Sequence, residues 1–319
     1  MKLAFTCMAF ILLAASNARA QLNAYFINVG QGDAIYLEFP NGTNALIDGG
    51  PSGEPVYQFL KEKGVTKLDR VVLTHPHSDH YRGLKKVFTS FEVDKYYDTR
   101  AENVDAQGDN NLRELAKAEP GCKTLYPEPG SELKWDSNVT VKVMSSCTEA
   151  VQMHNNDETN NCSLVLRVYY NGHGILLMGD AESTIETAMM RIYRSGLNST
   201  YLKVGHHGAR TSTSAQFLAR VQPKVAIISV GKDNVYGHPH KEALDRLKAA
   251  GAQIFTTLGG TQSLTIPAPK KGMELLLDGQ PQFGDVISTE TPKFNMEERA
   301  FESADLAALN QLKETAEAK

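Results

Sequence analysis

A chain of 319 residues that is 41% hydrophobic and 22% charged can build one large folded domain or two small ones, which excludes disorder as the default. Its formal net charge of −4 excludes a broadly basic nucleic-acid surface. After the first twenty residues no segment approaches the roughly 18 consecutive apolar residues that a membrane-spanning helix needs.

The N-terminus carries Lys2, an apolar run from Leu3 to Ala15, and the small-residue word "ARA" at Ala18 to Ala20. That order predicts a secretory signal peptide over residues 1–20, a secreted or periplasmic product, and no membrane span once the leader is cut. Removing Lys2 and Arg19 leaves 31 of the 33 basic residues against 37 acidic ones, a formal charge of −6. Three cysteines remain: Cys122, Cys147 and Cys162. An oxidising compartment allows one disulfide and one thiol, with the pairing open.

From Ala24 the words "AYFINV", "AIYLEF" and "NALID" predict strands, with "GQGD" at Gly30 to Asp33 as a tight hairpin between the first two. A helix over "EPVYQFLKEKG" and a buried strand "RVVLT" follow. The stretch from Asp98 to Trp135 is less regular, with one helix near Asn111 to Ala118. "NVTVKVM", "CSLVLRVYY" and "GILLMGD" predict a second set of strands, then a helix from about Glu182 to Arg194. "TYLKVG", "KVAIISVG", "AQIFTT" and "QSLTI" complete the strands, with helices near Ala215 to Val221 and Lys241 to Ala249. Two successive sets of strands followed by strand–helix units predict an α/β fold: a four-layer αββα sandwich, with two sheets face to face and helices outside, in one domain over residues 21–291. Residues 292–319, rich in Glu, Ala and Lys, predict a charged helical or disordered tail.

The densest chemistry is "LTHPHSDHYRG", Leu73 to Gly83. In an extended loop at a strand's carboxyl end, His75 and His77 project to the same side and can hold one metal. Asp79 and His80, where the chain turns into a helix, can face a second. Imidazole and carboxylate donors without cysteine point to hydrolytic rather than structural zinc. Asp48 in "LIDGG" and Asp180 in "LLMGD" each end an apolar strand, where a carboxylate can bridge two cations. Asp48 is expected to fix the histidine loop by hydrogen bonds. Asp33 either closes the hairpin or reaches the metal shell. "KVGHHG" and "YGHPH" supply further imidazoles.

Taken in order, "NVGQGDA", "LIDGG", "THPHSDHYRG", "NNCSLVL", "LLMGD" and "KVGHHG" resemble the metallo-β-lactamase superfamily, and within it the extracytoplasmic hydrolase domain of bacterial competence, or DNA-uptake, channel proteins. The resemblance covers nearly the whole chain after the leader. It implies two divalent metal ions, zinc or alternatively manganese, with His75 and His77 on one, Asp79 and His80 on the other, and Asp180 between them. It also implies that one histidine of the "GHHG" pair completes the second metal; His207 is favoured, with His206 near the substrate. The chain departs from the pattern in three places: Asn160 and Asn161 stand where many members supply another histidine, Asn28 where the competence proteins have aspartate, and Ala209 where they have serine. The membrane channel of those proteins is missing, so uptake itself is not implied.

A cation pair about 3.5 to 4 Å apart makes water nucleophilic at neutral pH. The preferred reading is in-line attack on phosphorus, with Asp79 at the reacting centre and His206 or His238 protonating the leaving oxygen. Arg210 and Ser212, in "RTSTS" ahead of a helix, are candidate substrate contacts, although serine and threonine there are ordinary helix caps, which is the preferred reading and can hold alongside the other. The expected substrate is a small-molecule or single-stranded nucleic-acid phosphodiester, without stable duplex DNA binding. A hydrolase of lactams, lactones or thioesters and a non-catalytic metal-binding module are the alternatives.

Overall fold

The computed structural model describes residues 21–103, 108–147, 151–153, 155–269 and 293–295. The expected leader over residues 1–20 therefore lies outside the described residues. Two large sheets form the middle of the molecule. The first has eight strands in the order Lys293–Asn295, Gln262–Ile266, Leu22–Phe26, Ile35–Glu38, Asn44–Ile47, Val71–Val72, Lys95–Tyr97 and Lys123–Leu125. The second has seven, ordered Glu132–Leu133, Thr140–Ser145, Val165–Tyr170, His173–Leu177, Tyr201–Lys203, Val225–Ile228 and Gln253–Thr256.

Three apolar layers explain the stacking. Phe26, Leu37 and Ile47 from the first sheet meet Val141, Leu166 and Ile227 from the second in a core between the sheets. Strand Leu22–Phe26 shows how sequence drives this: its residues alternate buried and half-buried, because successive side chains face opposite sides of a sheet. The outer face of the first sheet is covered by Val56 and Leu60 of helix Gly53–Glu62, Leu84 and Val87 of helix Ser78–Ser90, and Leu112 of helix Gly108–Ala118. Met189 of helix Ser183–Tyr193, Phe217 of helix Ala215–Val221 and Leu247 of helix Lys241–Ala249 cover the second. The result is the αββα sandwich.

In both sheets, strands run parallel where they approach the histidine words. Asn44–Ile47 pairs parallel with Val71–Val72, and His173–Leu177, Tyr201–Lys203 and Val225–Ile228 are parallel neighbours. Parallel strands end on one side, so Asp48, His75, Asp180, His207 and Ser229 emerge at one edge of the sandwich, as in other α/β sites.

Two expectations change. "GQGD" is not a tight hairpin. The register pairs Phe26 with Ile35, and Ile27 N–H donates to Ala34 O, so residues 28–33 form a longer loop. The reason is contact: Gly50 N–H donates to Asp33 O and Asp33 N–H to Asp79 O, which holds the loop against the histidine turn. In the 292–319 segment only Lys293–Asn295 is described, and it is a strand antiparallel to Gln262–Ile266 rather than a helix, satisfying backbone groups of that strand's outer edge. The cysteines form the one disulfide expected, with the pairing now given: Cys147 is bonded to Cys162, and Cys122 is the free thiol among the described residues.

Candidate metal centre

Two donor sets lie at the strand ends. One is His75, His77 and Asp180; the other is Asp79, His80 and His207. His75 Nε2 faces His77 Nδ1 at 3.0 Å and Asp180 Oδ2 at 3.8 Å. The same Asp180 oxygen is 3.3 Å from His80 Nε2 and 3.3 Å from His207 Nε2, which is itself 3.3 Å from Asp79 Oδ2. Asp180 therefore belongs to both sets.

The rings of His75, His80 and His207 are aimed by their second nitrogen. His80 Nδ1 lies 2.8 Å from Asp48 Oδ2, and the other Asp48 oxygen accepts from Thr74 N–H at 2.8 Å. Thr74 Oγ1 donates to Asp48 Oδ2 at 2.7 Å and lies 3.1 Å from His75 Nδ1. His207 Nδ1–H donates to the Ser229 carbonyl at 2.9 Å, which turns Nε2 toward Asp79 and Asp180. With one side of each ring occupied, His77, His80 and His207 Nε2 and Asp180 Oδ1 are buried with no hydrogen-bond partner among the described residues. Each such atom costs about 1–3 kcal/mol unless a partner arrives, and their convergence fits divalent cations with outer partners on the ligands. A third grouping, Asp33, Asp48 and His80, reads as support. Asp33 Oδ2 is paired with the buried Lys203 Nζ at 2.6 Å, and Asp48 is taken by Thr74 and His80.

The electrostatics agree with displaced protons. Burial alone lowers the pKa of His207, yet Asp180 and Asp79 outweigh it and push it up to about 10. His80 is likewise raised well above its ordinary value: burial opposes, but Asp180, Asp48 and Asp79 prevail. Burial disfavours charge on Asp180, but His207 and His80 hold it well below the usual carboxylate range. Burial, with the charge of His80 beside it, pushes His75 well down.

His206 points elsewhere. Both histidines of "GHHG" sit in the left-handed region, His206 at φ 45° and ψ 50° and His207 at φ 52° and ψ 24°, a conformation non-glycine residues avoid and functional sites retain. The twist splays them: His207 enters the donor set, while His206 Nδ1 meets Glu182 Oε1 at 2.7 Å. Thr211 Oγ1 donates to that same oxygen at 2.8 Å. His238 packs against His206 with ring centroids 5.2 Å apart. Burial, then the charges of His207 and His206, lowers its pKa to about 3, so it is neutral at physiological pH.

A cavity of about 560 Å³ opens over the donors, lined among others by Asp79, Asp180, His206, His207 and His238, with Arg82 and Arg210 contributing cations. Ser212 does not reach it. Its hydroxyl donates to Gly205 O at 2.7 Å, the residue is 1% exposed, and Ser214 rather than Ser212 caps the following helix by accepting from Phe217 N–H. The expectation that Ser212 binds substrate is therefore corrected: it braces the "GHHG" turn. The two asparagines of "NNCS" also differ in place, since Asn160 lines the cavity while Asn161 Oδ1 accepts from Glu182 N–H. Arg82 and Gln31 were not anticipated as cavity residues, nor Glu182 as the partner of His206; Glu182 alone carried a local signal, two positions after Asp180.

A family model described as the metallo-beta-lactamase superfamily matches residues 27–232. The chain is similar to ComE operon protein 3 of Bacillus subtilis (strain 168), with 29% identity over 250 residues, 72% of this chain and 31% of that protein. It is similar to competence protein ComA of Neisseria gonorrhoeae, with 30% identity over 222 residues, 70% of this chain and 28% of that protein. The matched region thus spans less than a third of these curated relatives. Among solved structures, the metallo-beta-lactamase fold protein YhfI from Bacillus subtilis shares the fold, with TM-score 0.51 and 12% identity over 76% of this chain and 99% of that one.

Proposed function

The chain belongs to the metallo-β-lactamase superfamily as a metallo-hydrolase, and from that premise we propose that it is an exported phosphodiesterase acting on a small phosphodiester or on single-stranded nucleic acid. The observation that carries this reading is Asp180, one buried oxygen shared by His80, His207 and His75 at 3.3, 3.3 and 3.8 Å. A shared carboxylate favours closely spaced cations, and a close pair suits phosphorus, where entering and leaving oxygens both need counter-charge. Cations held by these donors would lower the pKa of water to about 7 and offset the charge of the ester; zinc suits the imidazole-rich set and manganese is the alternative.

The chain's own side chains supply the rest. Arg82 and Arg210, from separate elements, line the cavity and offer charge to an anionic ester. Glu182 accepts only, so the His206 proton on Nδ1 goes to it and Nε2 is left to exchange a proton with the leaving oxygen. Neutral His238 is better suited to packing His206 than to donating a proton. The acidic balance of the chain argues against tight duplex binding, while the likeness to competence proteins supports a nucleic-acid phosphodiester. Export rests on the predicted leader; no helix among the described residues is long and apolar enough to cross a membrane.

The test is a side-by-side assay of metal-loaded protein on bis(p-nitrophenyl) phosphate, single-stranded DNA and a chromogenic cephalosporin, with and without chelator. Chelator-sensitive turnover of a phosphodiester is expected. Turnover of the cephalosporin alone moves the site to carbonyl substrates, and no turnover at all leaves a metal-binding module.

A further inference from the structure

The loop "GQGD" has no part in the chemistry described so far, yet it is held as tightly as any ligand turn. Gly32 has φ +139°, and a Cβ there would collide with the Asp79 carbonyl. Gly231, from the loop after strand Val225–Ile228, lies so close that its Cβ would strike the backbone nitrogen of Gln31. Asn28 Oδ1 accepts from Gly30 N–H at 3.2 Å and closes the loop from the other side.

The side chain of Gln31 is oriented as firmly as its backbone. Its Oε1 accepts from Gly231 N–H at 3.1 Å. A backbone N–H can only donate, so this bond decides which end of the carboxamide is oxygen and turns Nε2 away from Gly231. Gln31 lines the same cavity as Asp79, Asp180 and His207, and its Nε2 is buried with no hydrogen-bond partner among the described residues. A buried donor left without an acceptor is costly and calls for an explanation. Cations account for the neighbouring orphan atoms, but not for this one: an N–H donor repels a cation and needs an oxygen.

We propose that Gln31 is a substrate-binding residue, its carboxamide N–H donating to a non-bridging oxygen of the phosphodiester. The assignment rests on the phosphodiester reading of the cavity. It gives the "GQGD" loop a purpose: the glycines permit the close contacts that fix one donor beside the metal donors.

The experiment uses the full metal-loaded chain, with inorganic phosphate as probe in calorimetry, metal content by elemental analysis, and KM for bis(p-nitrophenyl) phosphate. Gln31→Glu keeps an oxygen for Gly231 N–H, and with it the loop contact, but removes the donor and adds a negative charge. Gln31→Ala removes both. Phosphate affinity is expected to fall about tenfold or more in Gln31→Glu, at least as far as in Gln31→Ala, with metal content unchanged in both and KM rising in parallel. A Gln31→Glu variant that binds phosphate like wild type while Gln31→Ala does not would mean that Gln31 only holds the loop, and overturns the proposal. Metal loss in either variant, or no phosphate binding by wild type, overturns it too. Failure of the functional reading looks different: cephalosporin-only turnover in wild type defeats that reading, whereas unaltered phosphate affinity in Gln31→Glu defeats this assignment alone.

Discussion

Two histidine-rich turns, one from each sheet, converge on Asp180, and they are held by opposite means. In the Thr74–His80 turn the backbone is ordinary: His77 is extended at φ −86° and ψ 148° ahead of its helix. There the rings are steered by side chains, with Thr74 Oγ1 beside His75 and the Asp48 carboxylate on His80. In the His206–His207 turn the backbone is itself the device, since left-handed geometry at both residues splays the rings apart, and the His207 ring is then steered by a main-chain carbonyl. Side-chain substitution should therefore unmake the first turn far more readily than the second.

Asp180 is common to both turns, so its loss should have the largest effect. Asp180→Ala is expected to strip metal from both donor sets and to lower turnover by more than the roughly 10–100-fold that loss of an outer partner costs. Elemental analysis beside a rate measurement checks it, and full metal content at wild-type rate would break the premise that the turns converge.

Asp48→Asn attacks the first turn alone. It replaces the carboxylate on His80 without removing a ligand atom, and should cost about 10–100-fold in metal affinity, read by competition with a chromophoric chelator. If affinity is unchanged, the first turn is not steered by its side chains and the contrast with the second disappears.

Sequence and structure agree best where the signal is local. The histidine spacing in "HPHSDH" places four donors within six residues, and the helices Ala215–Val221 and Lys241–Ala249 are visible because their apolar faces and N-terminal boundaries lie within one segment. The position of Asp48 at a strand end was enough to suggest its bracing role. The "GHHG" word by itself did not separate His206 from His207, and the preference for His207 came from the family resemblance, because the choice is made by strained backbone angles and by Glu182 and Ser229, 24 and 22 residues away. Ser212 was misread for a related reason. The word "RTSTS" offers two serines before one helix, and only tertiary contact with the Gly205 carbonyl shows which of them is tucked inward. The "GQGD" loop looked like a hairpin because glycine permits tight turns, whereas Gly32 answers to a neighbour distant in sequence, the Asp79 carbonyl, and Gln31 is met closely by Gly231.

A pH series on chelator-treated protein sharpens the account of the second turn. His207 is raised to about 10 by carboxylates that outweigh its burial. A raised folded pKa means that its proton stabilises the fold fully below the unfolded value near 6.5, and that this contribution is lost as pH rises through about 10. The Tm of the cation-free protein should therefore fall across that window, while cation affinity rises because fewer protons must be displaced. A flat Tm would mean that Asp180 and Asp79 do not face His207 as described.

The smallest effect should come from Ser229→Ala, and it is the sharpest test of how the second turn is held. His207 Nδ1–H donates to the main-chain oxygen of Ser229, and the Ser229 hydroxyl is buried with no hydrogen-bond partner among the described residues. Alanine preserves that carbonyl and relieves a buried polar group that has no partner to lose. Metal affinity should stay within about twofold of wild type, against the 10–100-fold expected for Asp48→Asn, although both residues touch a histidine of the same donor set. A large loss in Ser229→Ala would show that the hydroxyl steers His207, and the two turns would then rest on side chains alike.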